Sequence, residues 1–274
     1  MSLIVVDSEK CNRDGICVAT CPAGIIELKD AEGIPALVAN AEEYCLHCGH
    51  CVSICPTGAM AHEAMKLEDC MPVNKAWLLN EEQVEHFLRY RRSIRTYKDK
   101  PVDRDTLTKL IDIARYAPSG HNTQPVKWRV IYDSREVQRL VGVVVDWMRS
   151  VIKDQPEIAA AWHLDRVVAT CDAGVDRICR HAPHMIVAHA PKDLRPAQAA
   201  CTIALTYLEL AAQAFGLGVC WGGYFNTASN LYLPMQEALD LPEGEVSFGA
   251  MMVGYPKYKY HRMPVRNEPE ITWR

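Results

Sequence analysis

Cys45, Cys48, Cys51 and Cys55 fall in the pattern C-x2-C-x2-C-x3-C-P, closed by Pro56. Three thiolates at two-residue gaps can grip three irons of a cuboidal cluster from one tight loop. In this pattern the fourth cysteine, ahead of the proline, serves a different cluster. The spacing therefore calls for a second site, and the chain supplies one upstream. Cys11 matches Cys45, Asp14 matches Cys48, Cys17 matches Cys51 and Cys21 matches Cys55, with Gly15 and Pro22 matching Gly49 and Pro56.

Exchange of the fourth ligands gives the expected assignment. Cys21, Cys45, Cys48 and Cys51 hold a 4Fe-4S cluster. Cys11, Asp14, Cys17 and Cys55 hold the other, with a carboxylate where a thiolate belongs. A carboxylate is a harder and weaker ligand for this iron. The corner iron is then either bound by Asp14 in a 4Fe-4S cluster or lost to leave 3Fe-4S. The internal repeat resembles the pseudo-symmetric two-cluster ferredoxins over roughly residues 1–65. A zinc site is the alternative, but zinc sites use C-x2-C pairs set apart by a longer loop. His47 and His50 are read as exposed loop residues and Cys70 as a spare thiol.

Twelve cysteines, seven of them in these motifs, do not make a secreted disulfide scaffold. Cluster ligation needs free thiolates, which favours a reducing cytoplasm, as in an anaerobe. Met1–Asp7 has neither a basic region nor a long apolar run, so no signal peptide is expected. A net charge of −4 with no basic run argues against nucleic-acid binding. The most apolar stretch, Ala197–Phe215, is broken by Gln198, Glu209 and Gln213, and reads as a buried helix with Gly216 at its C-cap rather than a membrane span.

Two ferredoxin-like loops occupy little of a 274-residue chain. Two domains are expected, 1–72 and 73–274. In the second, Asn80 and Gln83 form a capping-box pattern ahead of a helix. Further helices are expected over 107–116 and 136–151, and strands at 128–132, 184–190, 217–224 and 248–256. Glycines at 216 and 218 follow a helix instead of a strand, so a dinucleotide-binding fingerprint fails its context. Cys171, Cys179 and His181 match no standard metal spacing and read as packing residues.

Arg91, Arg92, Ser93 and Arg95 lie within five residues. Planar guanidinium forks and a hydroxyl suit phosphate oxygens, although a solvated basic face has the same composition. A helix separates this group from Ala117-Pro118-Ser119-Gly120-His121-Asn122-Thr123-Gln124-Pro125 and a following strand. In this order and spacing, and in Phe248–Pro256, residues 85–270 resemble the nitroreductase family of flavin enzymes. The resemblance implies FMN bound across a homodimer interface. It assigns Arg91, Arg92, Ser93 and Arg95 to the flavin phosphate and ring edge. Pro118, Ser119, Gly120, Asn122 and Gln124 would meet the isoalloxazine or ribityl chain. Cys220, Trp221, Gly222 and Gly223 would lie against the flavin, and Arg262, with Lys259 behind it, would return to the phosphate. His121 is the candidate proton donor, weighed against a structural loop histidine.

The expected fold class is α+β: a two-cluster ferredoxin-like domain followed by an α+β FMN domain. The expected function is an FMN-dependent oxidoreductase that moves electrons between clusters and flavin. A reduced ferredoxin-type carrier or NAD(P)H would be the donor, and a nitroaromatic, quinone or activated alkene the small organic acceptor. The alternative is a redox-sensing or electron-storage protein that turns over no organic substrate.

Overall fold

The computed structural model describes residues 2–28 and 33–274. The chain forms two compact units. One runs through Leu79 and includes Gly120–Thr123, and the other comprises Asn80–Ser119 and Gln124–Arg274. The change of unit thus falls later than the expected 72/73. Between Cys70 and Asn80 the chain makes only a short 3-10 turn, Lys75–Trp77, and the second unit begins where a helix is properly capped.

The first unit is a repeat in backbone as well as in sequence. Its elements are β1 (Ile4–Val6), α1 (Ile16–Thr20), β2 (Ile26–Leu28), β3 (Pro35–Leu37), α2 (Ala41–Tyr44), α3 (His50–Ile54) and β4 (Met60–His62). β1 pairs antiparallel with β4, and β2 with β3. Gly15 and Gly49 enter the two short helices at φ/ψ of 69/6 and 71/5, a left-handed turn that glycine adopts without steric cost. Cys21 and Cys55 end those helices at −66/113 and −67/113. α1 packs on α3, over a small core of Leu3, Ile4, Ile25, Ile26, Val52 and Met60.

The second unit comprises α4 (Glu81–Tyr90), α5 (Arg104–Ala114), β5 (Lys127–Ile131), α6 (Ser134–Asp154), α7 (Pro156–Ala161), α8 (Leu164–Asp172), β6 (His184–Pro191), α9 (Ala197–Ala214), β7 (Gly218–Trp221), α10 (Gly223–Leu231), α11 (Leu233–Leu239) and β8 (Glu245–Gly254). Asn80 and Gln83 form the anticipated capping box, at 2.9 and 3.0 Å. α9 ends as expected at a left-handed Gly216, and Leu217 N–H returns to Ala212 O. The expected strand over 217–224 is shorter, because α10 starts at Gly223.

The sheet order is β5-β6-β8-β7, antiparallel throughout. Alternate residues of a strand face opposite sides. Met185, Val187, Ala250 and Met252 therefore pack with α6, α10 and α11, whereas Ile186, Ala188, Met251 and Val253 pack with α5 and α9. Two covered faces explain why β6 and β8 read as nearly continuous apolar runs. Among the described residues, no helix is long and apolar enough to cross a membrane.

His184 joins β6 to its surroundings. Val102 N–H donates to its Nε2 at 2.8 Å, so the proton sits on Nδ1, which faces Tyr132 O at 2.7 Å. Burial holds this imidazole below its ordinary range, and burial lowers His189 as well. The unfolded chain then takes up protons first, so acid favours unfolding. Stability from these groups is expected to be full above roughly pH 6.5 and to fall as pH drops below it. The urea midpoint should follow that course, and His184→Gln should flatten the slope while costing about 1–3 kcal/mol at neutral pH. A midpoint unchanged on acidification to about pH 5 would contradict this account.

Candidate cofactor sites

In the first unit the left-handed glycines turn the chain so that flanking cysteines face inward. Cys21, Cys45, Cys48 and Cys51 line one cavity, together with His62. Cys11, Asp14, Cys17 and Cys55 line a second. The fourth cysteine of each motif, at the end of its helix, reaches the other motif's cavity. All twelve cysteines are free.

The donor set suits iron and sulfide. Burial pushes the thiols of Cys17 and Cys51 up, with backbone hydrogen bonds opposing. Their charged neighbours, Cys11 and Cys55 around Cys17 and Cys48 and Cys21 around Cys51, raise them further. Sulfurs so placed ionise when a cation takes the proton's place. Hydrogen-bond donors already face the sulfurs: Ala59 N–H to Cys55 Sγ at 3.3 Å and His47 N–H to Cys45 Sγ at 3.4 Å. Burial raises Cys55 too, but hydrogen bonds from Thr57, Met60 and Ala59 outweigh it and bring its thiol down. One oxygen of Asp14 accepts from Ile16 N–H at 3.1 Å, in the cavity wall where the repeat would have a cysteine.

In the second unit, Ile94 N–H donates to Val219 O at 2.9 Å and ties the arginine-rich segment to β7. Arg91, Arg92 and Lys259 line a cavity of about 390 Å³ with Lys98, Tyr258 and Tyr260. Arg91 is half-buried and pairs with buried Glu209 of α9 at 2.7 Å. Arg92 lies over the Tyr260 ring at 5.7 Å. Gln213 Oε1, one turn past Glu209, is buried with no hydrogen-bond partner. A polar rim of cations with an unpartnered buried acceptor suits a phosphorylated, hydrogen-bonding ligand.

Arg95, Cys220, Trp221 and Gly223 line a second cavity of about 350 Å³ with Trp162, Arg177, Arg180 and Tyr224. Burial raises the Cys220 thiol, with Arg95, Arg180 and a hydrogen bond to Ser93 opposing. Gly222 is small for an internal reason: a Cβ there would come within 3.1 Å of Met185 and 3.5 Å of Ala250 O, whereas Gly223 faces open space.

The remaining sequence candidates lie elsewhere. Pro118, Ser119, Gly120, Asn122, Gln124 and Arg262 are not among the residues lining either cavity. Ser119 Oγ accepts from Gln124 N–H at 2.9 Å and shapes its own loop. Asn122 belongs to the first unit, where its amide donates to Leu46 O at 3.2 Å and His47 O at 3.0 Å. His121, Asn122 and Gln124 all take positive φ, and His121 is exposed.

Two family models match this chain: the nitroreductase family over residues 88–255, and a 4Fe-4S dicluster domain over residues 9–59. The chain belongs to the nitroreductase family. A relative from Methanothermobacter thermautotrophicus, provisionally named NADH dehydrogenase/NAD(P)H nitroreductase, is 25% identical over 170 residues, 62% of this chain and 75% of the relative. Two solved structures share the nitroreductase fold. The nitroreductase of Bacteroides fragilis, solved with bound FMN, has a TM-score of 0.60 at 20% identity, covering 72% of this chain and 100% of its own. That of Desulfitobacterium hafniense, also with FMN, has a TM-score of 0.57 at 24% identity, covering 72% and 99%. The α+β nitroreductase-like unit behind a dicluster ferredoxin domain is the expected fold class.

Several residues of this nitroreductase-family chain escaped the sequence reading. Glu209 and Gln213 were visible only as polar breaks in an apolar helix, yet their one-turn spacing is the signal that both face one side. Arg177, Arg180 and Trp162 carry no local pattern. Gly218 is kept small by the arginine-rich segment: a Cβ there would come within 2.7 Å of Ile94 Cβ. Gly218→Ala is expected to push the 91–95 segment off β7 at a cost of about 1–3 kcal/mol in urea unfolding. A change under about 0.5 kcal/mol would mean that the segment yields freely.

Proposed function

We propose that this protein is an FMN-dependent oxidoreductase coupled to two iron–sulfur clusters. The observation that carries it is the sorting of the eight repeat residues into two cavities, in a chain whose residues 88–255 match the nitroreductase family. When bound, the clusters supply one-electron exchange and the flavin supplies two-electron exchange with a small organic acceptor such as a nitroaromatic, quinone or activated alkene.

In this reading Cys21, Cys45, Cys48 and Cys51 hold a 4Fe-4S cluster. Cys11, Cys17 and Cys55 hold the second, with Asp14 either binding its fourth iron or leaving a three-iron centre. Arg92 and Lys259 offer charge to the flavin phosphate. Arg91, already paired with Glu209, orients the rim and contributes little net charge. Arg95, Cys220, Trp221 and Gly223 form the wall of the second cavity. Pro118, Ser119 and Gln124 would act in a homodimer whose sites draw on both copies. Exposed His121 is the proposed proton donor. The cytoplasm, and a reduced carrier or NAD(P)H as donor, belong to the same proposal. FMN in the related solved structures supports the choice of flavin.

Anaerobic purification should yield one FMN and seven or eight irons per chain, about seven if the Asp14 site holds three irons. Acceptor-dependent reoxidation of the reduced protein is expected. Reduction without reoxidation by any organic acceptor would favour an electron-storage or sensing protein, and zinc in place of iron would end the cluster reading. Asp14→Cys is expected to give a stable 4Fe-4S centre at that site. An unchanged anaerobic spectrum would remove Asp14 from the corner.

A further inference from the structure

His62 ends β4 and is buried, 4% exposed. Its Nδ1 lies 3.0 Å from Ala64 N–H, which has only one role to play: it donates. The Nδ1 lone pair is therefore occupied, and the neutral ring carries its proton on Nε2. Nε2 is 3.5 Å from Cys45 Sγ. The ring is further fixed by an edge-on contact with His47 at 5.1 Å between centroids, and it lines the same cavity as Cys21, Cys45, Cys48 and Cys51. The backbone has thus selected the tautomer that aims an N–H at a ligand sulfur.

The repeat supplies an internal comparison. The register that aligns Cys11 with Cys45 and Met60 with Ile26 aligns His62 with Leu28. The leucine side chain has no N–H to give. The side-chain donor is therefore present in one half of the repeat and absent from its counterpart.

We propose that His62 sets the potential of the Cys21/Cys45/Cys48/Cys51 centre by donating its Nε2–H to Cys45 Sγ. The inference rests on the cluster reading above. Reduction by one electron adds negative charge that spreads onto the sulfurs, and a hydrogen bond to a ligand sulfur stabilises that charge more in the reduced state than in the oxidised. His62 raises the potential of this centre and leaves the Asp14 centre untouched. It is a positioning and tuning residue: it contacts a ligand of the centre and contributes no ligand of its own.

The test is an anaerobic redox titration followed by EPR on the full chain, in the wild type, His62→Leu and His62→Gln. His62→Leu installs the residue found at the counterpart position. With full iron and sulfide, it is expected to lower the midpoint of the four-cysteine centre, making the reduced form about tenfold scarcer at fixed potential, which is about 59 mV for one electron. The midpoint of the Asp14 centre should not move. His62→Gln keeps an N–H donor and should recover part of the shift. An unmoved midpoint in a fully loaded His62→Leu protein, or an equal shift at both centres, would overturn the inference.

Should both variants lose iron, the wild-type side chain decides the matter. Protein labelled with ¹⁵N in histidine alone, and carrying His47→Ala and His50→Ala, should show one imidazole nitrogen coupled to the reduced four-cysteine centre. No coupling would overturn the inference. Absence of iron and acid-labile sulfide from the wild type would remove the cluster reading itself, whereas full loading with an unmoved potential would remove only the role of His62.

Discussion

Four acidic side chains around one small cavity repel one another once ionised, and burial makes the repulsion stronger. That constraint governs the first unit. The thiols of Cys17 and Cys51 are held up by burial and by their cysteine neighbours, so the arrangement suits a cation that replaces their protons. Everything around them serves the convergence. Gly15 and Gly49 supply the left-handed turns, α1 and α3 carry the inner cysteines, and Cys21 and Cys55 leave their helices in the same extended conformation. Because each half lends its last cysteine to the other, neither half can complete a site alone.

The second unit solves a different problem, that of holding cations beside an apolar core. α9 is buried along Ala200, Cys201, Ala204, Leu205, Leu208 and Ala212, yet it presents Glu209 to the Arg91 guanidinium. A buried carboxylate left unpaired would be costly, and the pair fixes the arginine-rich segment where the backbone bond from Ile94 to Val219 already ties it to the sheet. Sheet and helix thus set the direction of Arg91 and Arg92, and the cavity follows from that placement.

Asymmetry within a repeat is where this chain departs from a simple duplication. Asp14 stands against Cys48, and Leu28 against His62. Both differences fall on or beside a sulfur cavity. Two centres built on the same backbone are thereby given different donors, and a difference in ligand and hydrogen bonding is what separates potentials in such centres.

The cysteine spacing, the repeat, the capping box at Asn80 and the Gly216 stop were legible because each is local: a loop or a helix end is defined by residues a few positions apart. The placing of Cys21 and Cys55 at the opposite motif's cavity was legible for the same reason, since the repeat fixes both halves at once. The nitroreductase-like second unit could be read from two short motifs in order. The partner of Arg91, the open acceptor of Gln213, the internal packing around Gly222 and the bond from Asn122 to the Leu46 and His47 carbonyls were not legible. Each joins residues distant in sequence, or depends on which face of a helix turns inward. Residue types and spacing by themselves determined which atoms could bind iron. Only the tertiary structure decided which tautomer of His62 faces Cys45 and which carboxylate pairs with Arg91, because both depend on how separate segments pack and on which backbone N–H groups packing leaves free.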